Sequence, residues 1–424
     1  MKRKTIIGAI LAIGIVGTGF AFWMMWRPEI PVASQHQSAG RESMDRGRRV
    51  VEAGDCAVCH TRPGGAYMAG GLPLITPFGT LFTTNITPDR ETGIGEWSLD
   101  AFERAMREGI ARDGHFLYPA FPYVHYRKMS NADIADAYAF LMSVDPVKYT
   151  APENHMIFPM NFRPLVSFWN LLFLHGEPLQ PLPDRSALWN RGRYLVEGAG
   201  HCSSCHSPLN LIGGEKSSEL FNGGVVDGWT APALRGMATA EHPWNEDQLV
   251  AYLTGEVAEG HGAAAGPMLP VSLSIAQMPA EDAHAIAQYI LDLKKTSSEA
   301  PLPPCISEPK PDAVALAGAS LFEGACASCH GSAAPMRVIE SRPALASTSA
   351  VTAESPRNLI QTILQGIPMS TAAASHYMPA FAHSLDDADV AAIARYLRNE
   401  SCATRPWKDL ENTIKSIRAQ EQQP

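Results

Sequence analysis

Cys56-Ala57-Val58-Cys59-His60 recurs twice further along the chain, as Cys202-Ser203-Ser204-Cys205-His206 and as Cys326-Ala327-Ser328-Cys329-His330. Two thiols three positions apart, followed at once by an imidazole, are the attachment sequence of a c-type haem. The thiols form thioethers to the vinyl groups and the histidine binds the iron as proximal ligand. A single run of this kind could as well be a redox dithiol or half of a zinc site. Three with identical spacing, 146 and 124 residues apart, argue otherwise, since zinc knuckles work in pairs that lie close in the fold. Three covalently bound haems c are therefore expected, with His60, His206 and His330 as proximal ligands.

Outward from these runs the chain repeats itself. Arg46-Gly47-Arg48-Arg49-Val50-Val51-Glu52 precedes the first pair of cysteines, Arg191-Gly192-Arg193-Tyr194-Leu195-Val196-Glu197 the second, and the weaker Gly318-Ala319-Ser320-Leu321-Phe322-Glu323 the third. Trp97 to Phe102 with Gly109 matches Trp244 to Leu249 with Gly255, and each glycine lies 53 residues after the first cysteine of its unit. The units close on Asp133 to Phe140, Asp282 to Tyr289 and Asp389 to Tyr396, with an aromatic seven residues after each aspartate and on the same helix face. The expected fold is all-α: three tandem cytochrome c domains over 40–145, 187–295 and 311–402, whose terminal helices cross around a haem. Met268, in Gly266-Pro267-Met268, and Met378, in Tyr377-Met378-Pro379, stand on the loop before the closing helix, where such a domain needs its distal iron ligand. Met369 and His376 are further candidates in the third unit.

At 424 residues with 46% hydrophobic content the chain has ample material for several packed cores. A net charge of -9 and a pI near 5.9 argue against nucleic acid as a partner. Lys2, Arg3 and Lys4 precede the uncharged run Thr5 to Trp26, which as a helix would span about 33 Å. No good cleavage site succeeds it. An N-terminal transmembrane helix within residues 1–30 is thus favoured over a cleaved signal, with a cytoplasmic (inner) membrane location and the haem domains in the periplasm. Residues 296–310 read as a proline-rich linker. Between 146 and 186 lies an apolar strap: Met156 to Leu174 holds Phe158, Phe162, Phe168, Trp169 and Phe173 with Arg163 as its one charge, which suits a packed strap between domains or a surface for a partner. In the tail, 403–424, Trp407, Leu410, Ile414 and Ile417 form one stripe of an amphipathic helix.

Beyond its first thirty residues the chain resembles the triheme cytochrome c subunits of bacterial membrane-associated dehydrogenases. Phe158-Pro159-Met160-Asn161-Phe162-Arg163 with Trp169-Asn170, Arg191 to Glu197 through His206-Ser207-Pro208-Leu209-Asn210, and Leu117-Tyr118-Pro119-Ala120-Phe121-Pro122-Tyr123 carry the likeness. It implies a catalytic dehydrogenase partner and electron relay from it to ubiquinone, with no catalytic residue on this chain. Many relatives have methionine where this chain has Phe121, as the distal ligand of the first haem. The phenylalanine variant is similar to cytochromes that serve molybdopterin-type aldehyde and heteroaromatic dehydrogenases, which have a small iron–sulfur subunit, and of these an aldehyde-type partner is favoured. A stand-alone membrane-anchored carrier and a haem peroxidase are the alternatives; open iron coordination would mark the second.

Phe121 cannot bind iron, which leaves His125 and Met129, with His115 further back. Met129, Met278 and Leu385 stand four residues before Asp133, Asp282 and Asp389, so that slot is apolar in every unit and reads as the flank of a helix start, with Ser130 and Asp133 as a capping pair. His125 is therefore expected opposite His60. Cys305 and Cys402 remain after haem attachment; they bracket the third domain, whose ends come together in cytochromes c, and an oxidising periplasm permits a disulfide between them.

Overall fold

The computed structural model describes residues 19, 25–33, 40–240, 242–294, 313–336, 343–368, 377–401 and 406–421. Helices dominate, but two small antiparallel sheets stand among the described residues, so the all-α expectation is corrected. The expected transmembrane helix, and the inner-membrane placement on a single N-terminal anchor that came with it, are corrected too: no helix of the described residues is long and apolar enough to cross a membrane. Most of the run Thr5 to Trp26 lies outside the described residues. Residues 26–33 are non-helical and tied down, with the Ile30 N–H donating to Arg112 O (2.8 Å), the Ala33 N–H to Glu96 O (3.1 Å), and the Arg27 guanidinium over the Phe116 ring.

The first haem-motif region is built from α1 (Arg41–Ala53), α2 (Cys56–His60), β1 (Pro73–Thr76), β2 (Gly79–Phe82), α3 (Leu99–Glu108), α4 (Tyr123–Tyr126), α5 (Asn131–Leu141), β3 (His155–Met156) and α6 (Val166–Phe173). The second has α7 (Ala187–Tyr194), α8 (Ser203–His206), β4 (Gly224–Val226), β5 (Trp229–Ala231), α9 (Glu246–Leu253), α10 (Met268–Ile275) and α11 (Ala280–Asp292). The third has α12 (Ala313–Ala325), α13 (Ala327–His330), α14 (Ser349–Thr352), α15 (Arg357–Gln365), α16 (Asp387–Glu400) and α17 (Leu410–Glu421).

In each region the helix before the motif packs on the closing helix: α1 on α5, α7 on α11, α12 on α16. The repeated glycine sets the distance. A Cβ on Gly47 would lie 1.9 Å from Asp136 O, one on Gly192 1.9 Å from Ala285 O, and one on Gly318 2.0 Å from Ala392 O. Directly over each glycine stands the Cβ of the repeated aromatic, Phe140, Tyr289 or Tyr396. Charge reinforces two of the three crossings: Arg46 Nε donates to Asp136 Oδ2 (2.6 Å), and Arg191 holds Asp282 through Nε and Nη2 (2.6 and 2.8 Å). The third has Ala317 in the arginine position and relies on an apolar cluster around Ile360, Leu364 and Ile393.

By contact the chain divides into two compact units. One holds the described residues up to Pro181 with Glu197–His201; the other holds Leu182–Val196 and those from Cys202 onward. Within the second unit the residues of the second and third regions are joined. Asn358 at the start of α15 pairs with both backbone groups of Thr230 in β5 at 2.8 Å each, Arg357 Nε donates to Gly228 O (2.7 Å), and the Ser349 N–H donates to His261 O (3.0 Å). Helix α17 also belongs here. Leu410, Ile414 and Ile417 are buried in the cluster of α15 and α16, Arg398 lies over the Trp407 ring, and Arg418 pairs with Asp387 at 2.7 Å.

Most of the apolar strap is wet. Val166 packs against Ile110 and Phe116, and Asn170 bridges Tyr123 Oη and Glu108 O, but Phe158 is 84% exposed and Ile157, Phe162, Phe168, Leu171 and Leu172 are also exposed.

Candidate haem sites

The first two attachment turns are built alike. Asp55 (φ 50°) and His201 (φ 39°), each just before its first cysteine, take the left-handed conformation that turns the chain out of the preceding helix and into the motif. Cys56, Cys59 and His60 then share α2, Cys205 and His206 lie on α8, which Cys202 caps, and Cys329 and His330 lie on α13, capped by Cys326.

The sheets explain how the candidate proximal histidines are aimed. After β2 the chain delivers Thr84 O to His60 Nδ1 at 2.6 Å; after β5 it delivers Pro232 O to His206 Nδ1 at 2.7 Å. A carbonyl only accepts, so Nδ1 carries the proton in both and the Nε2 lone pair is left for a metal. Burial lowers both imidazole pKa values, which the carbonyls oppose, and so favours the neutral ligating form. Nothing in the motif spelling pointed to Thr84 or Pro232. The readable signal was the hairpin: Val226-Asp227-Gly228-Trp229 is an Asp-Gly turn with φ of 47° and 77° at its centre. His330 occupies the corresponding place, and residues 337–342, which come after its motif, lie outside the described residues.

The distal candidates differ in setting. Met268 opens α10, half-buried, after Gly266, whose absent Cβ leaves room for the Trp229 ring (2.3 Å from where it would stand). Met378 is half-buried and pairs its backbone with Ile367. Met369, His376, Cys305 and Cys402 lie outside the described residues. His125 is 3% exposed on α4, its Nδ1 3.4 Å from Glu197 O. On the same short helix Tyr126 donates its hydroxyl to Gly54 O (3.0 Å), beside the attachment turn, and packs on the Phe121 ring at 5.5 Å. Tyr126 has no signature of its own in the sequence, although its place in the aromatic run around Phe121 could have suggested it. Met129 and Met278 are buried core residues, and Ser130 Oγ caps α5 by accepting from the Asp133 N–H.

The donor set fits haem c, with two thiols and an imidazole together at each turn. Burial pushes the Cys56 and Cys202 thiols up to about 12, Asp55 and Cys59 adding to the first and Cys205 to the second. An exchanging dithiol calls for the opposite shift. No group of three or more His, Cys, Asp or Glu placed to hold a metal ion occurs among the described residues.

Residues 44–145 match the family model described as cytochrome c, and residues 313–397 that described as cytochrome C oxidase, cbb3-type, subunit III. Similarity to characterised proteins runs along nearly the whole chain. A nicotinate dehydrogenase subunit of Pseudomonas putida is 47% identical over 414 residues, which are 96% of this chain but only 34% of that relative, so the chain spans about a third of its length. A gluconate 2-dehydrogenase cytochrome c subunit of Pantoea cypripedii is 35% identical over 89% of this chain and 91% of its own. The cytochrome c subunit of an alcohol dehydrogenase (quinone) from Gluconobacter oxydans is 31% identical over 91% and 82%. With likeness of that extent over both chains, and Cys-x-x-Cys-His turns of the kind that hold haem c, the chain belongs to the family of dehydrogenase cytochrome c subunits.

Proposed function

We propose that this chain takes electrons from a catalytic dehydrogenase polypeptide and passes them through three covalently bound haems c to ubiquinone, without transforming a substrate itself. The observation that carries the reading is the repeated proximal clamp, His60 on Thr84 O and His206 on Pro232 O, each beside a Cys-x-x-Cys-His turn, with a third such turn in α13. Cys56 and Cys59, Cys202 and Cys205, and Cys326 and Cys329 would hold the haems; His60 with His125, His206 with Met268, and His330 with Met378 would be the axial pairs. When bound, each haem supplies a one-electron couple of the kind a relay requires.

Quinone as acceptor is supported by the alcohol dehydrogenase relative, which is named for it. For the partner we favour a molybdopterin-type enzyme with a small iron–sulfur subunit acting on aldehydes, in keeping with Phe121. The 47% identity to a nicotinate dehydrogenase subunit favours a second reading, a heteroaromatic acid as the partner's substrate. Alkaline pyridine treatment of the matured protein should report three haems c per chain, and two or fewer would overturn the reading. A high-spin ferric EPR signal would favour a peroxidase instead, and failure to co-purify with any large catalytic polypeptide would favour a stand-alone carrier.

A further inference from the structure

A cavity of about 470 Å³ opens in the first unit, walled by Phe82, Thr84, Tyr118, Asn154, Asn161 and Arg163 among others. Its size is that of a small-ligand site. Thr84 is the residue whose carbonyl holds His60, so one wall of the cavity is a single hydrogen bond from the proximal ligand of the first candidate haem.

The walls are aromatic and donor-rich. The Arg163 guanidinium lies 4.8 Å over the Tyr118 ring and donates from Nη1 to Phe116 O (3.3 Å), which leaves its other edge for a ligand. Tyr118 Oη donates to Met160 O (2.8 Å), which sets the ring as a flat wall. Asn154 accepts from the Phe82 N–H through Oδ1 (2.8 Å), which directs its Nδ2 donor elsewhere. A ligand that suits these groups is planar and carries acceptor oxygens.

At the mouth the surface changes character. Met156, Asn161 and Arg163 of the wall belong to the strap, and interleaved with them are Ile157 (56% exposed), Phe158 (84%) and Phe162 (53%), continued by Phe168, Leu171 and Leu172 on α6. A polar head would meet the donors while a long apolar tail covered this strip, removing water from side chains that a lone protein seldom leaves together in the open. A sugar would use the donors and leave the strip wet.

We propose that this cavity binds the head group of a prenylated quinone and that the strip from Ile157 to Leu172 takes its tail. The site rests on the functional proposal that a quinone accepts the electrons. One quinone takes up two electrons, those lost by the substrate at the catalytic partner, and two protons from solvent to become the quinol. Glu153, exposed in the cavity wall, offers a carboxylate on the path of those protons.

The test is binding of decylubiquinone and of a photoactivatable azidoquinone to the haem-loaded full chain. Label should fall within residues 150–172. Arg163→Met should weaken decylubiquinone binding about tenfold, the loss of one charge-assisted hydrogen bond, and Arg163→Lys should restore part of it. Phe158→Ser with Phe162→Ser should weaken decylubiquinone more than a quinone without a tail. Haem content and visible spectra monitor the fold of each variant. Label on another surface, with binding intact, or Arg163→Met binding within twofold of the parent, overturns this site while sparing the quinone reading. If Arg163→Met instead shifts the haem spectrum and leaves quinone binding unchanged, the cavity belongs to the haem side groups and the proposal falls. A parent protein that binds no quinone defeats the quinone reading and the site together.

Discussion

Phe121 and its neighbours show how much one residue leaves to those around it. With phenylalanine there, the first haem we propose needs its distal ligand from another residue; Met129 stands in a slot that Leu385 fills in the third unit, which marks it as a core position at the foot of α5. His125, on α4, is 3% exposed, and its imidazole is a side chain that can ligate iron where phenylalanine and leucine cannot. His125→Ala is expected to produce a high-spin, ligand-accessible ferric haem, while Met129→Leu, which conserves volume, should leave the spectrum low-spin. Visible and EPR spectra of the two variants decide it, and the reverse pattern would transfer the role to Met129. A bis-histidine first haem should also titrate at the lowest potential, since a methionine ligand raises it.

Among the elements, the crossing of the first and last helix of each region depends on glycine for a steric reason visible at atomic scale. Gly192→Ala places a methyl 1.9 Å from a carbonyl oxygen of α11, and neither helix backbone can give way cheaply. An overpacked crossing of this kind costs about 1–3 kcal/mol, readable as a lowered midpoint in denaturant unfolding. Gly324→Ala in α12 is the control. Nothing stands within 4 Å of its Cβ position, so it should be neutral or slightly stabilising because alanine is the better helix former. Equal losses in both variants would mean that helix propensity, and not the crossing, sets the requirement. The small sheets have a different duty: β1–β2 and β4–β5 are short, but each returns one carbonyl to a histidine ring.

For the whole molecule, the second and third regions share one compact unit, clamped where α15 grips β5 and sealed by α17. Cys305 and Cys402 lie on either side of the third region in sequence, and they are expected to pair. Such a bond would close a loop of about 100 residues and stabilise by a few kcal/mol. Mass spectrometry of unreduced protein should find the two peptides joined; both recovered as free thiols would remove the disulfide.

The sequence alone displayed the three Cys-x-x-Cys-His runs proposed as attachment sites, because thioether and iron chemistry acts between adjacent residues and so leaves a fixed spelling. It also displayed the glycine and aromatic of each helix crossing, Gly47 with Phe140, Gly192 with Tyr289 and Gly318 with Tyr396, since one close approach repeated three times leaves one pattern repeated three times. Tertiary structure decided the rest. Thr84 and Pro232 act through backbone carbonyls, which every residue possesses, so only the path of the hairpins distinguishes them. The stripe Leu410, Ile414 and Ile417 announced a buried face but not its partner, which is the cluster of α15 and α16. The same apolar spelling in the strap led elsewhere: Val166 found a core while Phe158 and Leu171 did not, because hydrophobicity states what a side chain would gain by burial and only the neighbouring surface decides whether burial is available.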